Sequence, residues 1–105
     1  MNKSKKQTAR LFKALCDENR LLLLEQIALS EIFACVLHQN MNLAQSTISH
    51  HMKILCDSGL VESRKEGKWM FYSIAPDGCK EAIDYISELW YRKKAPEPIR
   101  AQSCS

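Results

Sequence analysis

The stretch Gln45-Ser46-Thr47-Ile48-Ser49-His50-His51-Met52-Lys53-Ile54-Leu55 decides the fold. Ile48, Met52 and Leu55 fall at i, i+4 and i+7, the spacing of one helical face. Gln45, Ser46, Ser49, His50 and Lys53 occupy much of the remaining surface. These are short hydrogen-bonding or cationic groups, suited to base edges and phosphates once a helix lies in a major groove. By itself the pattern also describes an ordinary surface helix with a solvated polar face.

The residues that follow favour the first reading. Gly59, with Leu60 behind it, reads as a left-handed cap that ends the helix near Asp57. Two strand-like runs come next, Val61–Lys65 and Lys68–Ile74, with Glu66-Gly67 between them as a hairpin turn. Trp69, Phe71 and Tyr72 give the second run its β character. Arg64, Lys65 and Lys68 crowd the hairpin tip. A helix-turn-helix followed by a basic-tipped hairpin is a winged helix, in which the helix reads bases and the wing touches backbone or minor groove.

Upstream, Lys5–Leu15 places Thr8, Phe12 and Leu15 on one face, with Leu11 beside them, as an amphipathic first helix. Asp17 is placed to cap the next helix and Glu18 to meet its dipole. Leu21-Leu22-Leu23-Leu24 and Ile27-Ala28-Leu29 are apolar nearly all round, which predicts a buried central helix. Ser30 is the expected cap of a short third helix, Glu31–Leu37. Ala44 is a poor cap for the recognition helix, with Asn42 or Gln45 as the available substitutes. Pro76 suits the start of a last helix, with Ala82, Ile83, Ile86, Leu89 and Trp90 as its apolar stripe. So large a stripe at the end of a small domain implies that another surface covers it. The fold class expected is mainly α with a small β-hairpin: about five helices and a two-stranded wing. The domain spans residues 1–94, with 95–105 as a flexible tail.

With 105 residues the chain is one domain, and a dimer that hides more apolar surface would help it. Its formal charge of +3 suits a polyanion when doubled and concentrated on one face. No segment approaches the roughly 20 apolar residues of a membrane span, and no signal peptide is present, so a cytoplasmic protein is expected. Cys16, Cys35, Cys56, Cys79 and Cys104 are odd in number and widely spaced, which is not a disulfide framework. In a reducing compartment they are free thiols, ligands or core residues. No Gly-rich phosphate loop or metal-hydrolase motif is present, so no enzyme and no organic cofactor is expected. A protein-interaction module built on the same fold would favour exposed aromatics over Ser and Thr on its contact helix.

Leu43 through Ile74, with Leu11–Leu21 upstream, resembles the small winged-helix repressors of the arsenic- and metal-responsive ArsR/SmtB family. Gln45–His51 and Ser58-Gly59-Leu60-Val61 carry the resemblance, which covers about residues 9–90. It implies a homodimer through the first and last helices, bound to an inverted-repeat operator in double-stranded DNA with its recognition helices roughly 34 Å apart. Thr47, Ser49 and His50 are then the candidates for base edges, and Gln45, Ser46, His51 and Lys53 for phosphate or orienting contacts. Arg64 and Lys68 would supply sequence-independent affinity. Phe71 is expected to pack in the wing.

The resemblance also implies trivalent arsenic or antimony as the inducer, held by thiolates on the third helix. The positions in question are Phe33, Cys35 and His38, so one thiolate remains. Cys35 and His38, at i and i+3, share a helix face and suit a borderline ion such as zinc as well. Cys56, Cys16 or Cys104 would have to complete the set. Asp84 and Glu88 lack the histidine that a last-helix zinc site needs. A response to thiol oxidation, or to another ligand, is the alternative.

Overall fold

A computed structural model describes residues 4–93. Cys104 and the expected tail lie outside the described residues. Helix α1 (Lys5–Ala14) starts at Ser4, whose Oγ accepts from Gln7 N at 3.2 Å. Helix α2 (Glu18–Leu29) starts at Asp17, as expected, with Oδ1 accepting from Asn19 N at 2.8 Å and Arg20 N at 3.1 Å. Strand β1 (Ile32–Phe33) and helix α3 (Ala34–Asn40) follow. Helix α4 (Gln45–Ser58) leads into strands β2 (Val61–Glu66) and β3 (Trp69–Ile74), and helix α5 (Pro76–Lys93) closes the described chain. The strands form one antiparallel sheet in the order β1-β3-β2.

Several expectations are corrected here. The third helix begins at Ala34 rather than Glu31, and Ser30 does not cap it; Phe33 holds the cap position with no side-chain hydrogen bond. Ile32 and Phe33 instead pair with Tyr72 and Phe71, so the wing carries a third short strand. A β-branched and an aromatic residue side by side suit a strand, and the Phe33 ring lies 4.3 Å from that of Phe71. Helix α2 is also not buried all round. Leu23 and Ile27 are buried against α4 and β3, while Leu21, Leu22 and Leu29 are exposed in the single chain.

The core gathers Leu11 and Ala14 of α1, Leu23 and Ile27 of α2, Leu37 of α3, and Ile48, Met52 and Leu55 of α4. Each large side chain buried there contributes roughly 1.5–3 kcal/mol of transfer free energy, which is why α4 sits firmly on the domain. Gly59 ends α4 at φ +91°, in the left-handed region, and donates to Cys56 O at 3.1 Å. The start of α5 presses on this cap. A Cβ on Gly78 would stand 1.9 Å from the Gly59 carbonyl oxygen, so only glycine allows the approach.

Candidate nucleic-acid interface

The α4 pattern places side chains as its periodicity requires. At about 100° per residue, Ile48, Met52 and Leu55 turn inward and are buried. Ser46, Ser49, His50 and Lys53 turn outward and are exposed, with Gln45 and Thr47 exposed on opposite flanks. Lys53 Nζ lies 3.1 Å from Asp57 Oδ2 one turn on, a solvent-exposed pair that costs little to open. Nothing but Ala44 stands at the N-cap, and no side chain bonds the first-turn N–H groups there. Neither Asn42 nor Gln45 substitutes. Donors therefore remain at the end of the helix that also carries Gln45, Ser46 and Thr47.

His51 differs in exposure from the other residues of the set. It is 8% exposed, and its Nδ1 lies 3.1 Å from Arg20 Nη1. Its ring faces the α1–α2 corner, not the outward face that His50 shares with Ser49. Sequence periodicity alone could have warned of this, because residue 51 lies beside the Ile48–Leu55 stripe. The partner, 31 positions earlier in the chain, could not have been found that way.

In the wing, Arg64 and Lys68 have different surroundings. The Arg64 guanidinium bonds Glu31 at 2.8 and 3.2 Å, contacts Glu66, and lies 4.3 Å over the Phe71 ring. Glu31, through the hydrogen bonds from Arg64, is held below the usual carboxylate range. The charge of Arg64 is thus partly balanced at the surface by two carboxylates of its own chain. Phe71 packs between Arg64 and Phe33, the packing role expected of it. Lys68 is exposed at the turn, its Nζ 5.8 Å from the Trp69 ring centre. Lys65, not among the candidates read from the sequence, is exposed, and no ion pair holds it among the described residues. Strand alternation was the available signal, since it sends residue 65 to the face opposite Arg64. Trp69 is 51% exposed, and its sequence signal is its β character alone.

The thiols are dispersed. Cys35 is exposed and lines a groove of about 280 Å³ with His38, Phe33, Gln45, Lys68 and Trp69. Cys16 is exposed at the α1–α2 connection, while Cys56 and Cys79 are half-buried against the core. Burial, and then the neighbouring Asp57, push the Cys56 thiol up, away from the thiolate that coordinates metals. The structure brings Cys35 and His38 to one groove and places Cys16 and Cys56 elsewhere. Among the described residues no three His, Cys, Asp or Glu side chains are gathered to hold a metal ion.

Similarity to known proteins follows the same segments. Residues 17–63 match the family described as bacterial regulatory protein, arsR family. The chain is 41% identical over 84 residues to an HTH-type transcriptional regulator of Methanocaldococcus jannaschii, covering 79% of this chain and 94% of the relative. It is 40% identical over 84 residues to the arsenical resistance operon repressor of Escherichia coli, covering 77% of this chain and 70% of that one. Among solved structures it resembles a homodimeric winged helix-turn-helix DNA-binding domain from Mycobacterium bovis. There the TM-score is 0.67 and the identity 25%, with 91% of this chain and 89% of that chain covered.

Proposed function

The chain belongs to the arsR family of bacterial regulatory proteins, and from that premise we propose that it is a homodimeric transcriptional repressor that binds an inverted-repeat operator and leaves it when an inducer arrives. The observation that carries this reading is the outward face of α4: Ser46, Thr47, Ser49, His50 and Lys53 exposed together, beside a wing bearing Lys65 and Lys68. Short polar groups on a helix flanked by free cations match base edges flanked by phosphates. Two copies would place two such helices about one DNA turn apart. The solved relative from Mycobacterium bovis is itself homodimeric. The exposed Ile83, Ile86, Leu89 and Trp90 on α5 supply apolar surface for the same association.

The inducer is read as trivalent arsenic or antimony, on the relative that represses an arsenical resistance operon. Cys35 is the thiolate to test, because it is exposed and shares its groove with His38. Two donors fall short of the three or four that a soft-metal site uses, so a third would have to join them before arsenic could be held. The exposed Cys35 thiol with an incomplete donor set also favours a second reading, in which oxidation of that thiol is the signal.

The test is fluorescence anisotropy of a duplex from the chain's own promoter region, titrated with reduced protein and then with arsenite, zinc or peroxide. Release by arsenite in the wild type but not in Cys35→Ser supports the first reading. Release by peroxide alone supports the second. A Cys35→Ser protein that arsenite still strips from DNA would remove Cys35 from the site.

A further inference from the structure

Arg20 stands where three helices meet. Its side chain is 12% exposed, and all three guanidinium nitrogens are engaged. Nε donates to Ala14 O at 2.8 Å and Nη2 to Lys13 O at 3.3 Å, closing carbonyls at the C-terminal end of α1. Nη1 lies 4.0 Å from Asp17 Oδ2, the cap of its own helix, and 3.1 Å from Nδ1 of His51 on α4. A guanidinium has donors only, so this contact is a hydrogen bond when Nδ1 of His51 accepts and the ring proton sits on Nε2.

The place of His51 on α4 gives this bond its meaning. The stripe Ile48, Met52 and Leu55 fixes how deeply α4 is seated and limits its rotation, but apolar contacts are non-directional and leave a residual roll that side-chain repacking absorbs. His51 lies beside that stripe, one turn after Thr47, on the flank facing α1 and α2. A directional bond on that flank is able to select one roll within this range. A roll of about 20° would carry side-chain tips near the helix surface by about 2 Å. That is enough to break hydrogen bonds to base edges.

We propose that Arg20 is a positioning residue for DNA binding: through Nδ1 of His51 it fixes the roll of α4, and so the direction in which Thr47, Ser49 and His50 face. The proposal rests on the reading that α4 meets DNA. Neither Arg20 nor His51 reaches the nucleic acid in this account. Because Arg20 also holds the C-terminal end of α1, the recognition helix is referenced to α1, a helix that the homodimer reading assigns to the interface.

Two measurements on the full chain test this. Nitrogen-15 NMR of the histidine rings at neutral pH reads the tautomer of His51 in the wild type. The expected result is the Nε2–H form, and an Nδ1–H ring overturns the proposal. Anisotropy titrations of the promoter duplex and of a mixed-sequence duplex then compare wild type with His51→Asn and His51→Leu. Asn places an acceptor, Oδ1, near the position of Nδ1, whereas Leu places none. His51→Asn is expected within about threefold of wild type on the promoter duplex, and His51→Leu about tenfold weaker. Mixed-sequence affinity, which reports phosphate contacts, should change less than about threefold in both. Promoter binding by His51→Leu equal to wild type overturns the proposal. So does equal weakness of the two variants, which would mean that the imidazole itself touches DNA. Should His51→Leu fail to fold, the wild-type tautomer and the Asn variant decide. Wild-type protein that bound neither duplex would overturn the DNA reading itself, a separate failure that the tautomer distinguishes.

Discussion

Residues that look alike in the sequence have different surroundings in the folded chain. Arg64 and Lys68 are both wing cations, yet Arg64 is clamped by Glu31 and Glu66 while Lys68 stands at the exposed turn. Each free cation that meets a phosphate adds close to one counterion to the salt dependence. Lys68→Ala should therefore lower the slope of log affinity against log salt by about one, whereas Arg64→Ala should change it less. Anisotropy at a series of salt concentrations reads both; equal slopes would show that Arg64 leaves Glu31 to bind DNA. The same clamp predicts a pH effect. The folded-state value of Glu31 is lowered by Arg64, so its stabilising contribution is present above the ordinary carboxylate value and fades as pH falls through the lowered one. Wild type should be more stable than Glu31→Gln at neutral pH, and the difference should vanish in acid. Urea unfolding at several pH values checks this, and a difference that persists in acid would place its origin elsewhere.

At the scale of elements, caps and periodicity were largely legible and one boundary was not. Asp17, Gly59 and Pro76 mark the ends of α2, α4 and α5 through local chemistry that needs no tertiary context. The start of α3 is different. Ser30-Glu31 carries a helix-start signal, but Ile32 and Phe33 find Tyr72 and Phe71 across a ladder about 40 residues away, and pairing outweighs the local preference. The cap of α4 is a deficit that local reasoning did identify. Ala44 has the extended backbone of a cap, at φ −62° and ψ 146°, and lacks the side chain. Ala44→Ser should stabilise the protein by about 1 kcal/mol, measured by urea unfolding. No gain would mean that the first-turn N–H groups already have partners in water. If those groups instead serve phosphate, the serine should also weaken promoter binding.

For the whole molecule, the question is what covers α5. Ile83, Ile86, Leu89 and Trp90 are 63, 54, 47 and 54% exposed in the single chain. Phe12 of α1 meets Tyr85 of α5 with ring centres 5.7 Å apart, so the two helices already lie together. Ile86→Asp should convert a dimer to monomer by sedimentation velocity, and promoter affinity should fall with it because only a dimer engages both half-sites. A variant that stays dimeric would place the interface elsewhere. Leu21, Leu22 and Leu29 on α2 were expected inside and are not, since the single chain has only enough mass to cover one face of that helix.

The sequence by itself determined the order and kind of nearly every element, the inward stripe of α4 and the glycine that ends it. Those features depend on periodicity and on contacts a few residues apart. It also determined the family, because Gln45–His51 and Ser58–Val61 are contiguous motifs. The tertiary structure alone decided that Arg20 is the partner of His51, that Arg64 pairs with Glu31, and that Phe33 belongs to a strand rather than a helix. It also dispersed Cys16 and Cys56 away from the groove of Cys35 and His38. Each of these depends on residues some 20 to 40 positions apart meeting, or failing to meet, in space. One-dimensional spacing holds no record of that.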